Sequence, residues 1–114
     1  ERNSVSANQV LSNSTLASTN YADQNNLCVS QILSTEYTSA INSCEKALSN
    51  VTSRNIHDMR KQKSVISTNL AVAKALEGDR TGAIADLRNS MELYGRNKNA
   101  SKNYDRLISF ELAD

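Results

Sequence analysis

The 23 residues from Asn26, NLCVSQILSTEYTSAINSCEKAL, lie without a gap over the 23 from Asn69, NLAVAKALEGDRTGAIADLRNSM. Asn-Leu opens both, and Val29 falls on Val72 and Leu33 on Leu76. The Ala-Ile pair at 40–41 falls on 83–84, and Ala47 lies over Ser90, both small. Self-similarity at a fixed offset of 43 residues constrains the fold more than any single residue, because each copy must be the same supersecondary unit and must bury its apolar face on a neighbour.

Each copy reads as two helices around a corner. Apolar residues recur three and four apart over Leu16–Leu33, Tyr37–Val51, Ile56–Leu76 and Thr81–Leu93, with a shorter fifth stretch over Ser101–Leu112. In the long third stretch Ile56, Met59, Ile66, Leu70 and Ala73 form a stripe broken only by Lys63. Gly78 suits the left-handed residue that ends a helix, and Asp79 the cap of the next. Ser34 or Thr35 is expected to cap the second helix, Asn55 the third, and Gly95 to stop the fourth. Connections this short force antiparallel neighbours. With no proline and three glycines, a sheet rich in tight turns is excluded, so the fold class is all-α. The Asn- and Ser-rich residues 1–13 offer little to bury and are expected to be a flexible segment. Glu1 in place of methionine fits a mature form with its leader removed as well as a trimmed chain.

These units resemble the tetratricopeptide repeat (TPR) family. The leucine and small residue of that motif's first helix correspond to Leu27 and Cys28, then Leu70 and Ala71. The small residues of its second helix correspond to Ala40 and Ala47, then Ala83 and Ser90, with Tyr37 at the aromatic position before the first alanine. The resemblance runs from about Tyr21 to Gly95. It departs in its 43-residue offset against a usual unit of about 34, with the extra length around Arg54–Lys63. Gln31 and Lys74 stand where a large apolar residue is common, Arg80 replaces the second aromatic, and the closing proline is missing. The resemblance implies antiparallel hairpins stacked as a short TPR-like superhelix, one domain over residues 14–114. Hairpin 1 would span about 16–52, hairpin 2 about 55–95, and a C-terminal capping helix about 100–112.

Cys28 and Cys44 each lie eight residues from Glu36, the centre of the first corner. At about 1.5 Å per residue both reach the same level, roughly 12 Å along antiparallel helices. A disulfide is therefore geometrically allowed, and it would place the protein in the periplasm or among secreted proteins. The alternative is a pair of reduced core thiols in a cytoplasmic protein. Their spacing is not that of a CxxC redox motif, and no histidine or further cysteine joins them as a metal site.

Chemistry is otherwise scarce. His57 is the lone histidine and reads as a solvated helix residue. No Ser/His/Asp pattern, metal cluster or phosphate-binding glycine loop is present, so neither a catalytic role nor a cofactor is expected. Net charge is +1, and the one basic run, Arg60–Lys63, is too short to argue for nucleic acid. No apolar stretch approaches the roughly 18 residues of a membrane span. Asn13, Asn50 and Asn99 begin N-glycosylation patterns, which arise easily by chance in a chain rich in Asn and Ser.

What remains is a surface. In TPR arrays the first helix of each hairpin lines the concave face, which carries over to Ala22, Asn25, Val29 and Ile32, then Val65, Thr68, Asn69, Val72 and Ala75. Apart from the shared Asn69, the family's clamp for acidic tails has no counterpart here, since no lysine or arginine occupies these positions. The resemblance thus implies a non-enzymatic module holding a helix or extended peptide of a protein partner. The alternative is a structural homodimer, paired through the third-helix stripe of Ile56, Met59 and Ile66.

Overall fold

The structure, a computed structural model, describes residues 20–113; side chains are described as far as residue 109. The segment 1–13, and Leu16 at the expected start of the first helix, lie outside the described residues. The described chain is all-helical: α1 (Tyr21–Leu33), α2 (Tyr37–Ser49), α3 (Ile56–Glu77), α4 (Arg80–Leu93) and α5 (Lys98–Ala113).

The helix starts follow asparagine chemistry. The Asn20 side chain accepts from the N–H groups of Ala22 and Asp23, and Asn55 does the same for His57 and Asp58. Each thus satisfies two backbone donors that a first turn leaves open. Asp79 caps α4 by accepting from the Gly82 N–H at 2.9 Å. A third asparagine, Asn97, accepts from Ala100 and starts α5 at Lys98, three residues before the periodic stretch that opens at Ser101.

The two corners share one set of backbone hydrogen bonds. In the first, Thr35 N–H donates to Ile32 O, Glu36 N–H to Gln31 O and Ala40 N–H to Glu36 O. In the second, the donors are Gly78, Asp79 and Ala83, and the acceptors Ala75, Lys74 and Asp79. Every donor and acceptor is displaced by the same 43 residues, so the sequence repeat is a repeat of local structure. The αL position falls on Thr35 (φ 62°) in one corner and on Gly78 (φ 103°) in the other. This corrects the expected caps for α2: Thr35 is spent on the turn, and the N-cap is Glu36, with no side-chain cap bond.

A β-branched residue in the αL region is strained by about 1–3 kcal/mol, whereas glycine sits there freely. Thr35→Gly is therefore expected to stabilise the fold by about 1 kcal/mol after glycine's larger unfolded-state entropy is subtracted. Gly78→Ala, with nothing within 4 Å of its new Cβ, is expected to destabilise it by about 1 kcal/mol through backbone strain alone. Thermal melts of the two variants check the pair, and shifts of the same sign would contradict it.

Packing follows the chain. α1 pairs with α2 and α3 with α4; α2 then packs on α3, α4 on α5, and α3 touches all four other helices. Cys28, Ala40, Cys44, Ala47 and Val51 form one core with Ile66, Leu70 and Ala73 of α3. A second core joins Ala71, Ala83, Leu87 and Ala100. Ala40 and Ala83 sit at equivalent places and are both fully buried, small enough to let the paired helices approach closely.

This arrangement removes the stripe expected to pair two copies. Ile66 is 1% exposed and Met59 packs on the first core, leaving only Ile56 in solvent. The stripe is the face that α3 turns toward the first hairpin. Gly95 likewise does not end α4 in a left-handed turn. The helix stops at Leu93 with Tyr94 extended, and Arg60 caps its open carbonyls, Nη2 to Glu92 O at 2.8 Å and Nε to Leu93 O at 3.1 Å. The basic run is used here: a cation at a helix C-terminus meets the negative end of the dipole. Lys61 lies over the Tyr94 ring.

Candidate partner-binding face

The cysteines are joined. Cys28 and Cys44 form a disulfide with Cα atoms 5.3 Å apart, and both residues are fully buried. The bond holds α1 to α2 at the level where Ala71 and Leu87 make the corresponding contact of the second hairpin.

The departures at Gln31 and Lys74 also pair across their hairpins. Ser43 Oγ donates to Gln31 Oε1 at 2.6 Å, while Lys74 Nζ meets Asp86 Oδ2 at 2.9 Å. Positions 31 and 43 of the first unit correspond to 74 and 86 of the second. A neutral hydrogen bond in one hairpin therefore stands where the other has an ion pair. Lys74 is thereby held toward α4 and is not a loose cation on the α1–α3 side.

The positions expected on the concave face do not form one uniform surface. Val29 and Val65 are exposed (36% and 39%), Ala22 is exposed, and Val72 and Ala75 are half-buried. Ile32 leans into the first core. Asn25 and Asn69 are tied to each other, Asn69 Nδ2 donating to Asn25 Oδ1 at 3.0 Å. Thr68, expected in the groove, is 6% exposed. Its hydroxyl donates to Ser64 O and lies 2.9 Å from Ser90 Oγ.

Thr68 belongs to a buried cluster that periodicity could not reveal. Ser64 Oγ donates to Ser90 O at 2.7 Å, and Ser90 Oγ donates to Ser64 O at 2.7 Å. The Asn97 amide reaches Ser64 Oγ at 3.0 Å and Thr68 Oγ1 at 3.1 Å. Position 25 corresponds to 68 in the repeat, so each unit presents one polar acceptor there. In each case an asparagine further along the chain donates to it: Asn69 for the first unit, Asn97 for the second. Position 68 is thus a bracket between units.

Two large residues escaped the expectation. Leu33 and Leu76 are 76% and 51% exposed and occupy equivalent sites at the ends of α1 and α3. Their match in the repeat was a usable signal: a leucine kept twice beside a corner needs a reason, and burial within the hairpin is not it. Leu76 also borders an open cavity of about 150 Å³, with Val72 and Ala75 on one wall and Asn103 and Leu107 of α5 on the other.

His57 is exposed in the first turn of α3. Among the described residues no group of three His, Cys, Asp or Glu side chains is placed to hold a metal ion. No described helix is long and apolar enough to cross a membrane. Asn50 is half-buried and donates to Gln24 Oε1, so a glycan there would break a contact between α1 and α2. No family model, curated protein or solved structure matches the chain.

Proposed function

We propose that the protein is a short TPR-like interaction module that binds a peptide or helix of a protein partner across α1 and α3, without catalysis, in an oxidising compartment outside the cytoplasm. The observation that carries this reading is the exposure of Val29 and Val65 together with the repeated leucines, Leu33 and Leu76. All four lie on the first helices of the two hairpins, whose other sides are covered by α2 and α4. Single exposed apolar residues are ordinary; here Leu33 and Leu76 are exposed at matching positions of the two units, beside the exposed Val29 and Val65 of the same two helices. The units that carry these residues also share their corner hydrogen bonds, as stacked helical repeats do. The disulfide supports the compartment, because such bonds persist where thiols are not kept reduced.

The test is peptide selection on the purified protein followed by affinity measurement. Binders to the parent are expected to be apolar and to lose at least about tenfold in affinity, roughly 1.4 kcal/mol, on Val29→Asp with Val65→Asp. Glu45→Lys, an exposed change on α2, is expected to leave them unaffected. Selected peptides that bind the double variant as tightly as the parent would remove the α1–α3 face from consideration.

A further inference from the structure

The face that α5 turns to solvent carries a row of cations. Ala100, Tyr104 and Leu107 pack on the second core. Lys98, Lys102 and Arg106, spaced four apart, stand exposed on the opposite side. Residues 94–109 hold Arg96 and these three cations against a single carboxylate, Asp105. Among the described residues none of the three pairs with a carboxylate. Neighbours in the row are about 6 Å apart along the axis, within the Debye length of about 8–10 Å. They repel one another, and Lys98 sits at the positive end of the helix dipole. α1 and α3 instead place Asp23 and Asp58 in their first turns, while α5 has no acidic residue there. The row therefore weakens the helix that carries it, and bound anions would relieve the repulsion.

We infer that this row docks an acidic stretch of the bound protein segment through its side-chain carboxylates, an inference that rests on the interaction reading above. Position joins the row to the proposed face. Asn99 lines a cleft of about 50 Å³ with Val65 and Asn69 of α3, and Asn103 lines the wider cavity with Val72. Lys102 and Arg106 each follow one of these asparagines by three residues, which makes them its neighbours on the helix surface. A segment that lies over Val65 and crosses Asn99 thus arrives at the cations. Spacing fits as well. Glutamates four apart on a helix, or two apart on an extended chain, recur every ~6–7 Å, close to the interval of the row. Three cations in line match a run of side chains, whereas a chain end supplies a single carboxylate. A lipid surface fits poorly, because Asn99, Ser101, Asp105 and Ser109, exposed beside the row, offer nothing apolar to insert. Nucleic acid fits poorly too: net charge is +1, and Tyr94 and Tyr104 are engaged by Lys61 and Arg88 instead of open for base stacking.

Three peptides, acetylated and amidated so that neither end is charged, test the row. They carry glutamate, glutamine or lysine at alternate positions, and amide shifts of the isotope-labelled protein are followed by NMR. The expected result is saturable shifts centred on Lys98, Lys102 and Arg106 for the glutamate peptide, at least tenfold weaker for the other two. Lys102→Glu is expected to weaken the glutamate peptide at least tenfold and Lys102→Arg to preserve its binding. Lys46→Glu, the same charge change on α2, is expected to leave it unchanged; equal weakening there would overturn the row by assigning the attraction to net charge. Lys102→Glu is expected to melt no lower than the parent, and a clear fall would overturn the row by assigning it to the fold. Shifts of the same size from inorganic phosphate at equal concentration would reduce the row to a general anion effect and overturn it. Tighter binding at the row by phosphatidylserine vesicles or by single-stranded DNA would overturn it in favour of that partner. Peptides selected on the α1–α3 face that carry no acidic residue would overturn the row and leave the interaction reading standing. The interaction reading fails on its own readout: selected peptides indifferent to Val29→Asp with Val65→Asp would reject it, whatever the glutamate peptide does.

Discussion

Replacing Cys28 and Cys44 together with alanine is expected to lower stability by about 3 kcal/mol or more. The bond closes a loop with a sequence separation of 16 residues, and constraining a loop of about that length in the unfolded chain is worth roughly 3 kcal/mol. Both residues are fully buried among Ala40, Ala47 and Leu70, so the lost sulfur atoms also leave unfilled space. Neighbours already as small as alanine have little side chain to move into it. For a domain of this size roughly 4–8 °C of melting temperature accompanies each kcal/mol, which places the expected shift at about 12–24 °C. Melting the parent in strong reductant separates the two contributions, since reduction removes the cross-link but keeps the sulfurs. A reduced parent that melts with the alanine variant assigns the loss to the cross-link. A double-alanine variant melting within about 3 °C of the oxidised parent, a difference below 1 kcal/mol, would refute a stabilising role for the bond.

The same pair shows which parts of the structure were legible in the sequence. Levels along a helix follow from counting residues, so two cysteines equidistant from a corner can be matched from the sequence alone. The corner itself was legible from Gly78 and Asp79, because αL geometry and N-capping each favour few residue types. The first corner was harder. Thr35 takes the αL position against its own preference, and only the 43-residue alignment with Gly78 points there. A residue-by-residue reading assigns Ser34 or Thr35 to the cap, which the structure gives to Glu36.

Side-chain direction was the least legible feature. Periodicity identified the stripe of α3, but a central helix has more than one buried face and the pattern does not say which neighbour each face meets. Ile66 therefore looked available for a second copy when it belongs to the first core. Thr68 looked available for a partner because its position on the first helix was right. Its burial depends on Asn97, which is 29 residues further along the chain and outside the matched stretch. Polar contacts between distant residues carry no periodic signal. The exposed valines, by contrast, required only the assignment of a helix to the front of a hairpin.

Asn97→Ala is expected to release α5 from the second hairpin at a cost of about 2–3 kcal/mol, one part for the lost cap and the rest for unsatisfied buried oxygens. Proton counting shows why one amide matters so much. The hydroxyls of Ser64, Ser90 and Thr68 each donate to a backbone carbonyl, at 2.7, 2.7 and 3.0 Å. Ser90 Oγ also lies 2.8 Å from Ser64 Oγ and 2.9 Å from Thr68 Oγ1, so three hydroxyl protons face more acceptors than they can serve. Asn97 Nδ2 supplies the missing protons, reaching Ser64 Oγ and Thr68 Oγ1 directly and Ser90 Oγ at 3.4 Å. Its Oδ1 meanwhile accepts from Ala100 N–H and starts the helix. Asn97→Asp divides the two roles: the carboxylate retains the cap but offers no N–H to the cluster. Amide hydrogen exchange is the measurement. Protection in α5 is expected to fall by roughly 30- to 150-fold in the alanine variant, the equivalent of about 2–3 kcal/mol, and to fall also in the aspartate variant, whose carboxylate sets an acceptor against the hydroxyl oxygens, with α2 changed least of all. Unchanged α5 protection in both variants would mean that Ala100, Tyr104 and Leu107 hold the helix by apolar packing alone.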